Sequence, residues 1–312
     1  MTAVKDRSVL LLATNKQKYL RFALNCADSV RLHNPDLPVF IVTNIEPDDQ
    51  PSRKDIKFLA VPDEIARLHY ETKLYLNDFL QTEETLFIDS DCLCYSDLTP
   101  VFDACAGRDV TVIGRTLRLE DFWGDSAGFA RETLGINKSI MFNGGFIYMR
   151  KTELAERIFL KAREVSENYD AYGFLRIQNN LKSEETLLQI AMATYDQLPI
   201  ADDGRYMTDL FTDFRPKVLN VLKKERLLQN PASPSLRHRS WYPRNYSPAI
   251  LHFGGSNIKS YPYISQSFLL KLRNIGVPTL LSSIVTNILI HTPYRSYHRL
   301  RSLIRGNKKD NG

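Results

Sequence analysis

The chain has 312 residues, and its 41 Lys and Arg against 36 Asp and Glu give 41 − 36 = +5, with 43% hydrophobic and 25% charged residues. That composition excludes a disordered, collagen-like or coiled-coil chain, and the length suits one large domain or a domain with an appendage. The charge sits at one end: residues 291–312 carry Arg295, Arg299, Arg301, Arg305, Lys308 and Lys309 against Asp310, a local +5, and the rest of the chain is neutral. A basic tail on a neutral body points to an anionic membrane surface or another anionic partner, and not to a protein that wraps nucleic acid.

Along the chain, residues 9–13 form an aliphatic run too short for a signal or a membrane span, and they read as a strand buried on both faces. Residues 18–33 have helical spacing, with Leu20, Ala23, Leu24, Ala27 and Val30 in register, and Asn34-Pro35 stops them. Residues 39–42 and 57–61 read as strands, 64–80 as a helix, and 85–88 and 110–114 as two more strands. This alternation predicts an α/β fold: a mainly parallel, Rossmann-like sheet with helices on both faces. Residues 117–136 read as loop, 151–165 as a helix, and 183–194 as a helix capped by Ser183 with Glu184 and Glu185 in its first turn. Residues 215–248 read as mostly irregular, and 249–253 as a last short strand. Residues 1–265 then form the α/β body and 266–312 a C-terminal helical, amphipathic and basic segment.

The four cysteines, Cys26, Cys92, Cys94 and Cys105, make no disulfide framework in a chain of this length and read as reduced and buried, which fits a cytoplasmic compartment. In the tail, Leu280, Leu281, Ile284, Val285, Ile288 and Leu289 fall at helical spacing. Tyr294, Tyr297, Leu300, Leu303 and Ile304 interleave with the arginines that follow. That pattern suits a helix lying in a membrane interface; it also suits a stripe packed on the body.

Three motifs carry chemistry. Asp89-Ser90-Asp91 follows a hydrophobic strand. Two carboxylates two residues apart repel one another unless something positive sits between them, and a hard divalent cation such as Mn²⁺ or Mg²⁺ does that while bridging to substrate phosphates. Carboxyl ends of parallel strands are where α/β sheets hold ligands. The same residues also read as an acidic turn. His252-Phe253-Gly254-Gly255 through Lys259 delivers a histidine from a strand end, glycines that permit close approach, and a lysine able to neutralise a phosphate; an ordinary turn is the alternative. Phe142-Asn143-Gly144-Gly145 places an amide beside two glycines, where sugar hydroxyls fit, or makes a plain β-turn.

In order and spacing these motifs resemble the retaining GT-A glycosyltransferases of the glycogenin and lipopolysaccharide galactosyltransferase type, glycosyltransferase family 8. The resemblance spans residues 8–263. The family's nucleotide-contacting turn is similar to Ala13-Thr14-Asn15. Its D-x-D, F-N-x-G and H-x-x-G-x-x-K-P motifs are similar to 89–91, 142–145 and 252–259, and its D-Q-x-x-L-N helix to 183–188. The family's Asp-Gln reads Ser183-Glu184 here, and one extra residue separates Gly255 from Lys259.

The resemblance implies a GT-A fold and a metal-dependent hexosyl transfer from a nucleoside-diphosphate sugar, UDP-linked or alternatively GDP-linked, to a glycan or lipid-linked acceptor with retention. It implies Asp89, Asp91 and His252 as metal ligands. It implies Ala13, Thr14, Asn15, Lys73, Asp89, Ser90, Asn143, Gly144, Gly145 and Lys259 as donor contacts, and Glu184 or Glu185 as the group opposite the sugar. A catalytically inactive nucleotide-sugar-binding protein is the rival outside catalysis. A nucleotidyltransferase is disfavoured, because the turn after the first strand has no glycine. The acceptor is expected against residues 117–135 and 237–245, which hold Trp123, Trp241 and several arginines. The enzyme is expected in the cytoplasm or on the cytoplasmic face of a membrane.

Overall fold

The computed structural model describes residues 6–46, 55–209, 216–230 and 239–306. Arg237, Lys308, Lys309 and Asp310 lie outside these, as do the side chains of Leu303, Ile304 and Arg305. Strands β1 (Arg7–Leu12), β2 (Val39–Thr43), β3 (Ile56–Ala60) and β4 (Glu84–Ile88) pair in parallel in the order β3-β2-β1-β4. β5 (Cys92–Cys94) follows at once. After β6 (Val110–Thr111), β7 (Ile113–Arg118) and β8 (Lys138–Phe142), strand β9 (Phe146–Arg150) pairs antiparallel with β4 and carries β6 on its far side, completing a six-stranded sheet. The mainly parallel α/β sheet expected from the sequence is therefore present, with β9 as its antiparallel member.

Both faces of the sheet are covered, which is why its strands read as unbroken aliphatic runs. Successive side chains alternate between two cores. Leu10, Phe87, Ile147 and Met149 pack with the helices Glu153–Glu167 and Glu184–Thr194. Val9, Leu11, Leu86, Ile88 and Tyr148 pack with the helix Gln17–His33. Thr152 caps the first of these helices by accepting from Ala155 N, and Ser183 caps the second by accepting from Thr186 N, as its sequence suggested.

Beyond residue 194 the strands are short: β10 (Ile200–Ala201), β11 (Met207–Asp209), β12 (Pro216–Asn220), β13 (Glu225–Gln229), β14 (Asn245–Tyr246) and β15 (Ile250–His252). β10 joins β7 and β8, β15 lies between β11 and β5, and β12, β13 and β14 form an antiparallel sheet. The last corrects the expectation of irregular chain from 215 to 248. Its strands are too short and too polar to show a period. Two other expectations change. The helix over 64–80 is two pieces, Asp63–Ala66 and a 3-10 stretch His69–Phe79, because His69 sits in the left-handed region at φ 56° and ends the first. The loop over 117–136 holds the helices Leu119–Trp123 and Ala127–Glu132.

A third core joins Leu93, Tyr95, Leu251 and Phe253 to Leu269 and Leu270 of the helix Tyr261–Asn274. That packing ties residues on both sides of position 265 together. The helix Thr279–Thr286 then runs with its polar side inward: Ser282 and Thr286 are buried, whereas Leu280, Leu281 and Ile284 are exposed. Ile288, Leu289, Tyr297 and Leu300 continue the exposed stripe. The stripe does not pack on the body. Contacts that hold the segment there include Tyr261, stacked on Tyr294 at 3.9 Å and hydrogen-bonded to His291, and Asn220, whose Nδ2 donates to Ser283 Oγ at 3.4 Å. Among the described residues no helix is long and apolar enough to cross a membrane.

Candidate active site

The site forms where β4 and β15 end and β5 begins. β4 hands the chain to Asp89, whose N–H donates to Gly145 O at 3.0 Å; the next turn presents Asp91, whose carbonyl accepts from Phe253 N at 3.0 Å. β15 runs antiparallel to β5 with His252 opposite Cys92. His252 Nε2 thereby lies 3.0 Å from Asp91 Oδ1 and 3.9 Å from Asp89 Oδ2. Residues 163 positions apart in the sequence meet because two strand ends share a ladder.

Behind the carboxylates stands Lys73, buried. Its ammonium donates to Asp89 Oδ2, to Glu184 Oε1 and to Gly144 O, each at 3.0 Å. Burial alone would lower its pKa, but Asp89 and Glu184 overcome that and hold it above the ordinary lysine value. Burial likewise pushes the Asp89 carboxyl up against the pull of Lys73. Asp91 goes the other way: burial opposes ionisation, yet His252 keeps the carboxyl below its ordinary value and is itself raised by Asp91.

The glycine pair is a close approach, not only a turn. A Cβ on Gly145 would stand 2.9 Å from both Asn143 Oδ1 and His252 Nδ1, and one on Gly144 would stand 2.8 Å from Glu184 Oε1. Gly144 N donates to Glu185 Oε1 at 2.7 Å, and Gly145 N to Asn143 Oδ1 at 3.0 Å. The capped helix start therefore sits directly over the glycines, with both its acids turned to this site.

Glu185 is buried next to Glu184, and these two causes push its carboxyl up to about 7. The folded chain thus keeps a proton that the unfolded chain has already lost above its ordinary carboxylate pKa. Stability is lost as pH rises from the ordinary value through about 7. In metal-free protein, Glu185→Gln should raise stability at pH 8 by on the order of 1–3 kcal/mol and leave it unchanged near pH 4, because the amide oxygen still accepts from Gly144 N. Urea unfolding at the two pH values checks this, and an equal shift at both would assign the gain to something other than ionisation.

The remaining sequence-predicted residues lie as follows. Ala13, Thr14 and Asn15 continue β1; Asn15 has φ 67° and is held by Asn44 Oδ1 at 2.8 Å and Ala66 O at 2.6 Å. Ser90 is half-buried between the two aspartates. Lys259 ends the 3-10 turn Gly255–Lys259, exposed and with no side-chain partner among the described residues. The four cysteines are free and buried, as expected. The Cys92 sulfur lies with Asp91 and His252 ligand atoms within 4.8 Å of one another. Trp123 closes a core, donating to Ser139 Oγ at 2.7 Å, whereas Trp241 is 38% exposed. Sequence reasoning missed Arg239, which grips Asp209 with two bonds of 2.8 Å and Asp202 at 2.9 Å. Its partners lie 30 and 37 positions away, and no local pattern marks them.

Two carboxylates and an imidazole nitrogen facing one another make a donor set that suits a divalent cation of the Mn²⁺ or Mg²⁺ type. No family model matches the sequence, and no curated protein matches it. Solved structures do resemble it. The galactosyltransferase LgtC in complex with donor and acceptor sugar analogues aligns at TM-score 0.50 and 15% identity, over 80% of this chain and 87% of that one. An active-site mutant of LgtC aligns at TM-score 0.51 and 14% identity, over the same shares. The fold is thus the GT-A glycosyltransferase fold anticipated from the motifs.

Proposed function

We propose that the protein is a glycosyltransferase that moves a hexose from a nucleoside-diphosphate sugar, UDP-linked, to a glycan or lipid-linked acceptor with retention. The observation that carries this is the meeting of Asp89, Asp91 and His252 at the ends of β4 and β15, backed by buried Lys73. Asp91 and His252 would hold the cation, with Asp89 shared between it and Lys73. A bound Mn²⁺ or Mg²⁺ would supply Lewis acidity at the diphosphate. The turn 13–15, its backbone pinned by Asn44 and the Asn15 side-chain amide pinned by Ala66 O, receives the nucleotide, and the Asn143–Gly145 turn leaves room for the sugar. Lys259 is free to meet the diphosphate. Glu184 is already matched by Lys73, which leaves Glu185 as the acid for positive charge on the sugar. Glu185→Gln should therefore lower kcat by tenfold or more and change donor KM little; unchanged turnover would make that helix start structural.

The direct test is manganese-dependent hydrolysis of a panel of UDP- and GDP-sugars without acceptor. Turnover of a UDP-sugar that stops on chelation is expected. Turnover of GDP-sugars alone would reassign the donor, and none at all would leave a binding protein.

The catalytic body extends in this reading through Asn274, because Leu269 and Leu270 belong to its core. The segment beyond it offers a helix with polar residues inward, aliphatic residues outward and arginines following. That arrangement suits the anionic cytoplasmic face of a membrane, where each basic residue contributes about 1 kcal/mol. Removing residues 293–312 should abolish salt-sensitive binding to phosphatidylserine vesicles while donor hydrolysis persists. Full-length protein that ignores such vesicles would end this part of the reading.

A further inference from the structure

Beside the donor site the structure holds a surface that the donor chemistry does not use. β7 and β8 pair antiparallel, with Arg115 opposite Met141 and Gly114 opposite Phe142. Directly opposite residues of an antiparallel pair share a face. Met141 is 36% exposed, and Asn143 lies two residues further on, about 7 Å along an extended chain. The guanidinium of Arg115 lies 4.3 Å from the centre of the Trp241 ring. Trp241 is fixed from below: its Nε1 donates to Asp202 O at 2.7 Å, and Tyr242 hydrogen-bonds Asp202. An exposed indole held this firmly, with a cation against it and the sugar turn one strand step away, is a built platform.

The charges around it are unequal. Asp202 and Asp209 are taken by Arg239, and Asp203 by Arg205 at 2.6 Å. Arg115 and Arg244 are exposed and have no carboxylate partner among the described residues. An indole face takes the apolar face of a sugar ring, and a planar guanidinium takes a carboxylate or phosphate in two parallel bonds. We propose that Arg115 and Trp241 form the acceptor subsite, and that the acceptor presents an anionic sugar, a ring bearing a carboxylate or a phosphate. This rests on the glycosyltransferase reading for the word acceptor only; the binding itself does not.

The experiment uses the full-length protein without donor or metal, so it stands apart from any failure of donor hydrolysis. Trp241 is one of two tryptophans, the other being the half-buried Trp123, hydrogen-bonded to Ser139, so indole fluorescence reports on it. The probes are glucuronic acid, glucose 6-phosphate, glucose and inorganic phosphate. Both anionic sugars should change the emission, and the better of them should bind at least tenfold more tightly than glucose. The ratio of the two identifies carboxylate or phosphate as the preferred anion. Trp241→Phe should lose the signal. Arg115→Ala should bring the anionic sugars down to the level of glucose, and Arg115→Lys should restore part of the preference. Glucose binding as tightly as the anionic sugars, inorganic phosphate producing the full change by itself, or a signal that survives Trp241→Phe would each overturn the proposal.

Discussion

Lys73→Met should cost the folded protein about 3–5 kcal/mol, the usual loss when one partner of a buried ion pair is removed and the other charge is left without compensation. Here two carboxylates are left. Asp89 Oδ2 and Glu184 Oε1 each lose a 3.0 Å bond to the ammonium, and Gly144 O loses its partner as well. Methionine fills nearly the same volume, so the loss is one of charge more than packing, and it includes the ammonium's place over the Phe87 ring. Urea unfolding of metal-free protein measures it. The double variant Lys73→Met with Glu184→Gln removes one of the stranded charges and should recover on the order of 1–3 kcal/mol. A double variant that is simply the sum of the two single losses would mean that Lys73 acts through its stem. The same substitution should weaken donor binding, because Lys73 fixes Asp89, Glu184 and the Asn143–Gly145 turn together. It is a positioning residue for three parts of the site.

Why the sequence showed Lys73 only faintly follows from that geometry. Its partners are 16, 71 and 111 positions away, and nothing within a helical turn of it hints at any of them. Asp89 and Asp91 were legible because a strand buried on both faces must be continuously apolar, so the first acid after 86–88 marks its end. Ser183 was legible because capping is local chemistry. His252 stood out as an ionisable group at the end of an aliphatic run, and the β5–β15 ladder supplies what the run could not, its partner across the sheet. The two tryptophans show the limit. Each lies in a polar, loop-like stretch, and only tertiary packing sets Trp123 half-buried against a core and leaves Trp241 open. The tail shows the converse. Its apolar spacing was plain, but whether the stripe faced the body or the solvent depended on Ser282 and Thr286 being buried beneath it.

Asp91→Asn and His252→Ala should each reduce sugar transfer by on the order of 10³-fold, the several kcal/mol that a properly held cation contributes at a leaving diphosphate. Manganese affinity, read by titration on the purified protein, should fall at least tenfold in both. Their effects on stability should differ. Asparagine keeps an oxygen 3.0 Å from His252 Nε2, and the lost attraction to His252 is offset in part by relief from the neighbouring Asp89 carboxylate. Metal-free Asp91→Asn should therefore unfold within about 1–2 kcal/mol of the parent. His252→Ala should cost more, because it empties a buried site that the Gly145 backbone and the β5 ladder enclose, and it leaves Asp91 without its partner. Asp91→Asn is thus the sharper probe of the two. A near-parental fold with transfer lost assigns the carboxylate to the reaction. Asp91→Asn protein that retains both transfer and manganese affinity would remove Asp91 from the site, and with it the reading that β4 and β15 meet in order to hold a cation against a diphosphate.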